Sequence, residues 1–296
     1  MILIDNKFNS INDEQKNELD EILNEVVNYL NNVITDENIK QIINENSQNI
    51  IIQLTDNYNY SIKLPNGMVR TMDFPGSVGA LKTNMYNELN SSEIHIVPGV
   101  ALRSNYSKHQ LVHELLHALS SNEHNYFNEN GITYTKTGTK IDFYDRNTDD
   151  VKITNNPSSD GLNEGITEFL ASNITNDFNG NYAPFVVISK LLLDANPNLI
   201  NAYFSRELDE IDKFYCDLEE KQSIITRADL MSFTSKETNI ESLFKVISGA
   251  LSYNKTINPN YNEEYLNDII TYLDSNYILD AGSWSDFISI SNSTKM

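Results

Sequence analysis

A single cysteine, Cys216, is present in the whole chain. No intrachain disulfide is therefore possible, and an oxidising compartment would leave no mark on the sequence. Cys216 sits in the helix-like stretch KFYCDLEEK and reads as a small packed residue. Basic residues are also scarce, with 21 Lys plus Arg against 42 Asp plus Glu and a formal net charge of -21. Phosphate recognition needs basic surface, so nucleic acid is excluded as a partner and anionic membranes are disfavoured. The plain consequence of the charge is a soluble chain that repels its copies, with a monomer expected. An acidic surface that attracts basic substrates is the functional alternative. No run of 18 apolar residues occurs, so no membrane span is expected. The opening MILIDNKFNS lacks the basic segment and apolar core of a secretory signal. A cytoplasmic protein is the default expectation, although export without a leader would leave no signature to read.

What is present is enough for a folded core. The chain has 296 residues, 40% of them hydrophobic, with 16 Tyr and 12 Phe, which places it among globular proteins and not disordered ones. In NDEQKNELDEILNEVVNYLNNV, the residues Leu19, Ile22, Leu23, Val26, Val27 and Leu30 recur at helical spacing. A shorter helix is expected around Glu37 to Ile43. The next fifty residues change character. NIIIQLTD, NYSIKLP and VRTMDF are β-rich, and Pro65-Asn66-Gly67 marks a turn between the last two. A short fourth strand, Glu93 to Val97, should stop at Pro98-Gly99. A small, largely antiparallel sheet is thus expected at about residues 49 to 97.

Helical signals dominate the rest. Ser107 with Gln110 three residues later forms a capping box at the start of SKHQLVHELLHALSS. Residues 123 to 160 read as a long polar excursion with a hairpin at ITYTKTGTKIDFYD. A second helix should begin near Ser159 or Asp160 and run through LNEGITEFLASNI. The segments beginning at Tyr182, Asn198, Asn239 and Glu263 read as further helices. The expected fold class is α+β, with residues 1–100 forming a helix-plus-sheet lobe. Residues 101–296 should carry the active-site helices and a mainly helical C-terminal lobe, the two forming one continuous catalytic unit.

The chemistry is concentrated in His113-Glu114-Leu115-Leu116-His117. Histidines at i and i+4 lie on one helix face and can offer two imidazole nitrogens to one metal ion. Glu114 follows the first of them, where its carboxylate can act as general base on water that the metal activates. The neighbours Leu115, Leu116, Ala118 and Leu119 are uncharged and suit a dry site. A third ligand is still required. Downstream, in GLNEGITEFLA, Glu164 and Glu168 share one helix face. Glu164 can complete the site if the two helices pack together, and Glu168, one turn on, can accept the second ring N–H of a ligand histidine. Gly165 costs about 1 kcal/mol of helix stability relative to Ala, which close approach of two helices would justify. An ordinary amphipathic helix with two solvated glutamates is the competing account of this segment.

Together, HELLH and NEGITE resemble the gluzincin metallopeptidases, in which an HExxH helix is followed by a helix bearing N-E-x-x-x-D/E. The resemblance covers about residues 93 to 172. It implies a zincin-like fold and one Zn2+ per chain, held by His113, His117 and Glu164. Glu168 would be a supporting acid beside Asn163, and Glu114 the base that hydrolyses peptide or protein substrates. It also implies that the strand at Glu93 to Val97 is a sheet edge that takes extended peptide. An alternative on the same resemblance is a catalytically idle zinc-binding interaction protein. The metzincin pattern HExxHxxGxxH fits poorly: Ser120 replaces its Gly, Glu123 stands where its third His belongs, and Met231 does not make a convincing Met-turn.

Several other residues read more plainly. His109 falls in the first turn of its helix and reads as an exposed polar group. His95 reads as a strand side chain, and Trp284 as packing. Asp142, Asp145, Asp149 and Asp150 match no calcium-loop spacing and read as a solvated loop. No histidine follows His124, so a tyrosine is the natural donor to a developing oxyanion. Tyr126, Tyr134, Tyr144, Tyr182 and Tyr203 are all candidates, and spacing does not choose among them.

Overall fold

The computed structural model describes residues 2–3, 11–54, 59–63, 69–73, 80–88, 94–102, 105–124, 132–145, 160–179, 182–206, 209–221, 240–262, 267 and 271. Contacts divide the chain into two units. The first comprises Met1–Thr154, Leu170–Asp177 and Phe204–Arg206, and the second Asn155–Phe169, Phe178–Tyr203 and Glu207–Met296.

In the first unit, Asn12 starts helix α1 (Asp13–Val33) with a reciprocal capping box. Its side chain accepts from the Gln15 amide at 2.8 Å, and Gln15 Oε1 accepts from the Asn12 amide at 3.2 Å. These bonds satisfy two donors that a helix start leaves open. The stripe Leu19, Ile22, Leu23, Val26 and Leu30 is buried. Asp36 caps α2 (Glu37–Asn49), which runs well past Ile43 and buries Ile39, Ile43 and Asn46. Helix α3 (Lys108–Leu119) contacts both of these helices.

Strands β1 (Ile2–Leu3), β2 (Ile51–Leu54), β5 (Ala80–Glu88) and β6 (Ile94–Leu102) form a sheet in the order β1-β2-β6-β5. β3 (Asn59–Lys63) and β4 (Val69–Asp73) form a separate antiparallel pair. β7 (Ser121–His124), β8 (Ile132–Thr137) and β9 (Lys140–Asp145) form a third, antiparallel sheet. The expected hairpin is β8–β9, and Gly138 in its turn takes φ 58°, a conformation that suits glycine.

The α+β expectation with a small, mostly antiparallel sheet lobe is overturned. The described chain is mainly helical, and its strands are divided among three small sheets instead of building one lobe. In the four-stranded sheet, β1–β2 and β2–β6 are parallel and only β5–β6 is antiparallel. Apolar periodicity marks residues that prefer extended backbone, but it does not specify which strand they pair with. β5 was not expected at all. β6 continues through Pro98-Gly99, where a stop was expected. Pro98 is tolerated because the β5–β6 register is irregular between Lys82 and Asn84, and β2 pairs with β6 only from Gly99 onward. β5 flanks β6 along its length, whereas β2 flanks it only over Gly99–Leu102, so among the described residues Ile94–Val97 pair on one side alone.

Lys136, on β8, is buried and its Nζ donates to the Ser205 carbonyl oxygen at 2.7 Å, both within the first unit. Burial lowers its pKa from 10.5 to about 7. Above the unfolded pKa the amine is neutral in both states. As the pH falls below it, the unfolded chain takes up the proton first, so folding loses about 1.4 kcal/mol per pH unit until roughly pH 7. Lys136→Met removes this dependence, and the cost of losing its hydrogen bond to the buried Ser205 is independent of pH. Urea unfolding at pH 9 and pH 7 should show the variant gaining about 2–3 kcal/mol on the wild type over that interval. Parallel pH profiles would place the amine in contact with water.

In the second unit, α5 (Ala183–Ala195) and α8 (Ile240–Ile257) pack together. Asn254 Nδ2 donates to the Leu191 carbonyl oxygen at 2.8 Å. α6 (Leu199–Phe204) and α7 (Asp209–Lys221) lie between them in sequence. Cys216 on α7 is exposed, not packed as expected. Leu218 is the buried position there, and residues two apart on a helix point to nearly opposite sides. The expected helix beginning at Glu263 lies almost wholly outside the described residues. No described helix is long and apolar enough to cross a membrane.

Candidate metal centre

The capping box expected from Ser107 and Gln110 is formed. Ser107 Oγ accepts from the Gln110 amide at 3.1 Å, and Gln110 Oε1 accepts from the Ser107 amide at 2.9 Å. This start sets the phase of α3, so that His113 and His117 fall on its buried side, 6% and 4% exposed. Their rings are 4.9 Å apart between centroids and inclined at 73°. The two rings thus meet edge-on and are not stacked. Glu114, between them in sequence, is half-buried.

The end of α3 is tied down by hydrogen bonds. Ser120 Oγ and Ser121 Oγ both donate to the His117 carbonyl oxygen, at 2.9 and 3.0 Å. Asn46 Nδ2, from α2, donates to the carbonyl oxygens of Leu119 and Ser121 at 2.8 and 3.0 Å. Carbonyls that a helix end leaves open thus find partners. The backbone that carries His117 is fixed by residues from α2 and from the segment entering β7. No motif in the sequence marked Asn46 for this role.

Helix α4 (Asp160–Thr175) starts at the expected place. Thr167 Oγ1 donates to the Asn163 carbonyl oxygen at 2.7 Å, which leaves the Tyr203 hydroxyl to donate to Thr167 at 2.5 Å. Tyr203 is fully buried, so this oxyanion candidate is engaged in holding α6 to α4. Glu168 is 0% exposed, and its Oε1 accepts from the Asn179 amide at 2.7 Å. Gly165 answers the question its cost raised, but with a different partner from the one expected. The close approach is to α5: a Cβ at this position would lie 2.6 Å from the Phe185 carbonyl carbon and overlap Ser189 Oγ.

One ligand atom from each of His113, His117 and Glu164 lies within 4.8 Å of the others. A tetrahedral zinc ion with bonds of about 2.0–2.1 Å spaces its ligand atoms roughly 3.3 Å apart. Two imidazoles and one carboxylate suit zinc, and three protein ligands leave a fourth position open. The donor set therefore fits the metal that the motif suggests.

The other singled-out residues fall elsewhere. The group comprises His113, His117 and Glu164 among the described residues, and Glu123 and His124 lie on β7 opposite Thr135 and Tyr134. Asp142 and Asp145 lie on β9 and not in a loop, and His95, Tyr134 and Tyr144 also lie on strands. Tyr182 precedes α5 and is half-buried. Tyr126, Asp149, Asp150, Met231 and Trp284 lie outside the described residues. His109 departs from expectation: it is buried, 7% exposed, and its Nδ1 lies 2.8 Å from Thr175 Oγ1. Its spacing of four from His113 carried the signal, because i, i+4 and i+8 share one face.

No family model matches the chain, and searches of curated proteins and of solved structures likewise gave no significant match.

Proposed function

We propose that the chain is a zinc-dependent peptidase of the gluzincin type that hydrolyses peptide bonds, with His113, His117 and Glu164 as metal ligands and Glu114 as general base. The observation that carries this reading is the convergence of those three ligand atoms from two stretches far apart in sequence. A zinc ion held there would supply Lewis acidity, polarising a peptide carbonyl and making water acidic enough to react near neutral pH. Glu114 takes the proton from the attacking water and delivers it to the leaving amine nitrogen, so that the C–N bond breaks with a neutral amine departing. The buried setting of both histidines keeps competing water away and strengthens the electrostatics of the site. Glu168, buried one turn beyond Glu164, would accept the second ring N–H of a ligand histidine.

Metal analysis together with a peptide-library digest tests the proposal. The expected result is close to one zinc per chain, cleavage of library peptides read by mass spectrometry, and loss of cleavage in a chelator with recovery on adding zinc. Zinc below about a tenth of an equivalent, even after reloading, would remove the metal centre. Stoichiometric zinc with every peptide intact would leave the idle zinc-binding protein as the correct account.

A further inference from the structure

The buried face of α3 carries three histidines, one per turn: His109, His113 and His117. Two belong to the candidate metal centre. The third meets Thr175, the last residue of α4, the helix whose first turns carry Glu164.

Thr175 Oγ1 has three polar neighbours: the Ala171 carbonyl oxygen, the Asp177 amide and His109 Nδ1. A threonine hydroxyl has one proton to give. Thr175 Oγ1 donates that proton to the Ala171 carbonyl oxygen at 2.9 Å. It also accepts from the Asp177 amide at 3.3 Å. His109 Nδ1 lies 2.8 Å from the same oxygen, and which of the two atoms donates follows from the ring tautomer. The helix ends at this point because Asn176 adopts φ 55°, the left-handed cap conformation. Its amide donates to the Ser172 carbonyl oxygen at 2.9 Å. The His109 ring thus binds a capped helix end.

A continuous α-helix transmits position along its axis. Thr175 lies eleven residues, about 16 Å, beyond Glu164 on one rigid element. Holding that end against α3 restricts both the axial slide and the rotation of α4. Either motion would carry the Glu164 carboxylate away from the two imidazoles.

We propose that His109 is a positioning residue for the metal centre: through the hydrogen bond between its Nδ1 and Thr175 Oγ1 it sets the register of α4 against α3 and so brings Glu164 to His113 and His117. This rests on the metal-centre reading above. The ring touches neither metal nor substrate, and its contribution is to ligand placement.

The test uses the full-length chain loaded with Zn2+ for affinity, by competition with a chromophoric chelator, and with Co2+ for the visible spectrum. His109→Leu and Thr175→Val each remove one side of the hydrogen bond, and His109→Asn keeps a donor near the Nδ1 position. The expected result is a 10–100-fold loss of metal affinity in the first two variants, the range for lost support of metal ligands. Their cobalt spectra should lose intensity as the carboxylate withdraws from a tetrahedral set, and His109→Asn should restore both readouts. If His109→Leu does not fold, Thr175→Val decides alone. Wild-type affinity and spectrum in a folded Thr175→Val or His109→Leu variant would overturn the positioning role and leave the metal centre standing. A wild-type chain that binds neither ion would overturn the metal centre and this role together.

Discussion

Glu114→Gln is expected to retain the full complement of zinc and to lose peptide hydrolysis by at least 10²–10⁴-fold, the usual contribution of a placed general base. Gln preserves the shape of the side chain and its ability to hold water through the amide oxygen, but it cannot accept and return a proton at neutral pH. Glu114 is half-buried beside two buried histidines and is not among the three residues whose ligand atoms cluster. Metal retention and catalysis should therefore separate in this variant. Metal analysis and peptide cleavage on the same preparation check both halves. Undiminished cleavage would remove Glu114 from the mechanism, and loss of zinc along with activity would make it a ligand.

Gly165→Ala should destabilise the protein by about 2–3 kcal/mol, in the upper part of the overpacking range. This runs against helix propensity, which favours Ala over Gly by about 1 kcal/mol. The added methyl would meet the Phe185 backbone, 2.6 Å from its carbonyl carbon. That carbonyl is in the first turn of α5 and cannot swing aside without opening a helical hydrogen bond. Ser189 Oγ blocks the remaining space and is fully buried. Thermal unfolding should fall by about 5–10 °C. Replacing Ser189 by Gly in the same chain should restore only part of the loss, since the backbone obstacle remains. A stability gain in the single variant would mean that α4 and α5 do not approach this closely.

The candidate site was legible in the sequence because its information is local. His113 and His117 are brought to one face by helix geometry alone, and the capping residues Ser107 and Gln110 fix where that geometry starts. Glu164 and Glu168 are paired by the same rule on α4. The roles of His109, Asn46 and Tyr203 were not legible, because each depends on a partner in another element: Thr175, the end of α3, and Thr167. The spacing of His109 from His113 places it on the same face of α3, but its partner Thr175 lies in another element and leaves no trace near His109 in the sequence.

The sheets show the same division more sharply. Strand-forming segments were recognisable at β2, β3, β4, β8 and β9 from β-branched and aromatic residues and their flanking turns. Their pairing was not, since β2 hydrogen-bonds in parallel to β6 across a long intervening stretch that includes β3, β4 and β5. An alternating pattern records only that one face is apolar, so it is compatible with many partners and both directions.

By itself the amino-acid sequence determined where the helices begin, which faces of them are apolar, and which side chains can act together within one helix, because backbone geometry repeats over a few residues. Only the tertiary structure decided that a carboxylate from α4 meets two imidazoles from α3, that Gly165 makes room for α5, and that β6 pairs in parallel with β2 and antiparallel with β5. Those outcomes depend on the packing of surfaces that are distant along the chain, where the hydrophobic effect is non-directional and shape and hydrogen-bond satisfaction select the partner.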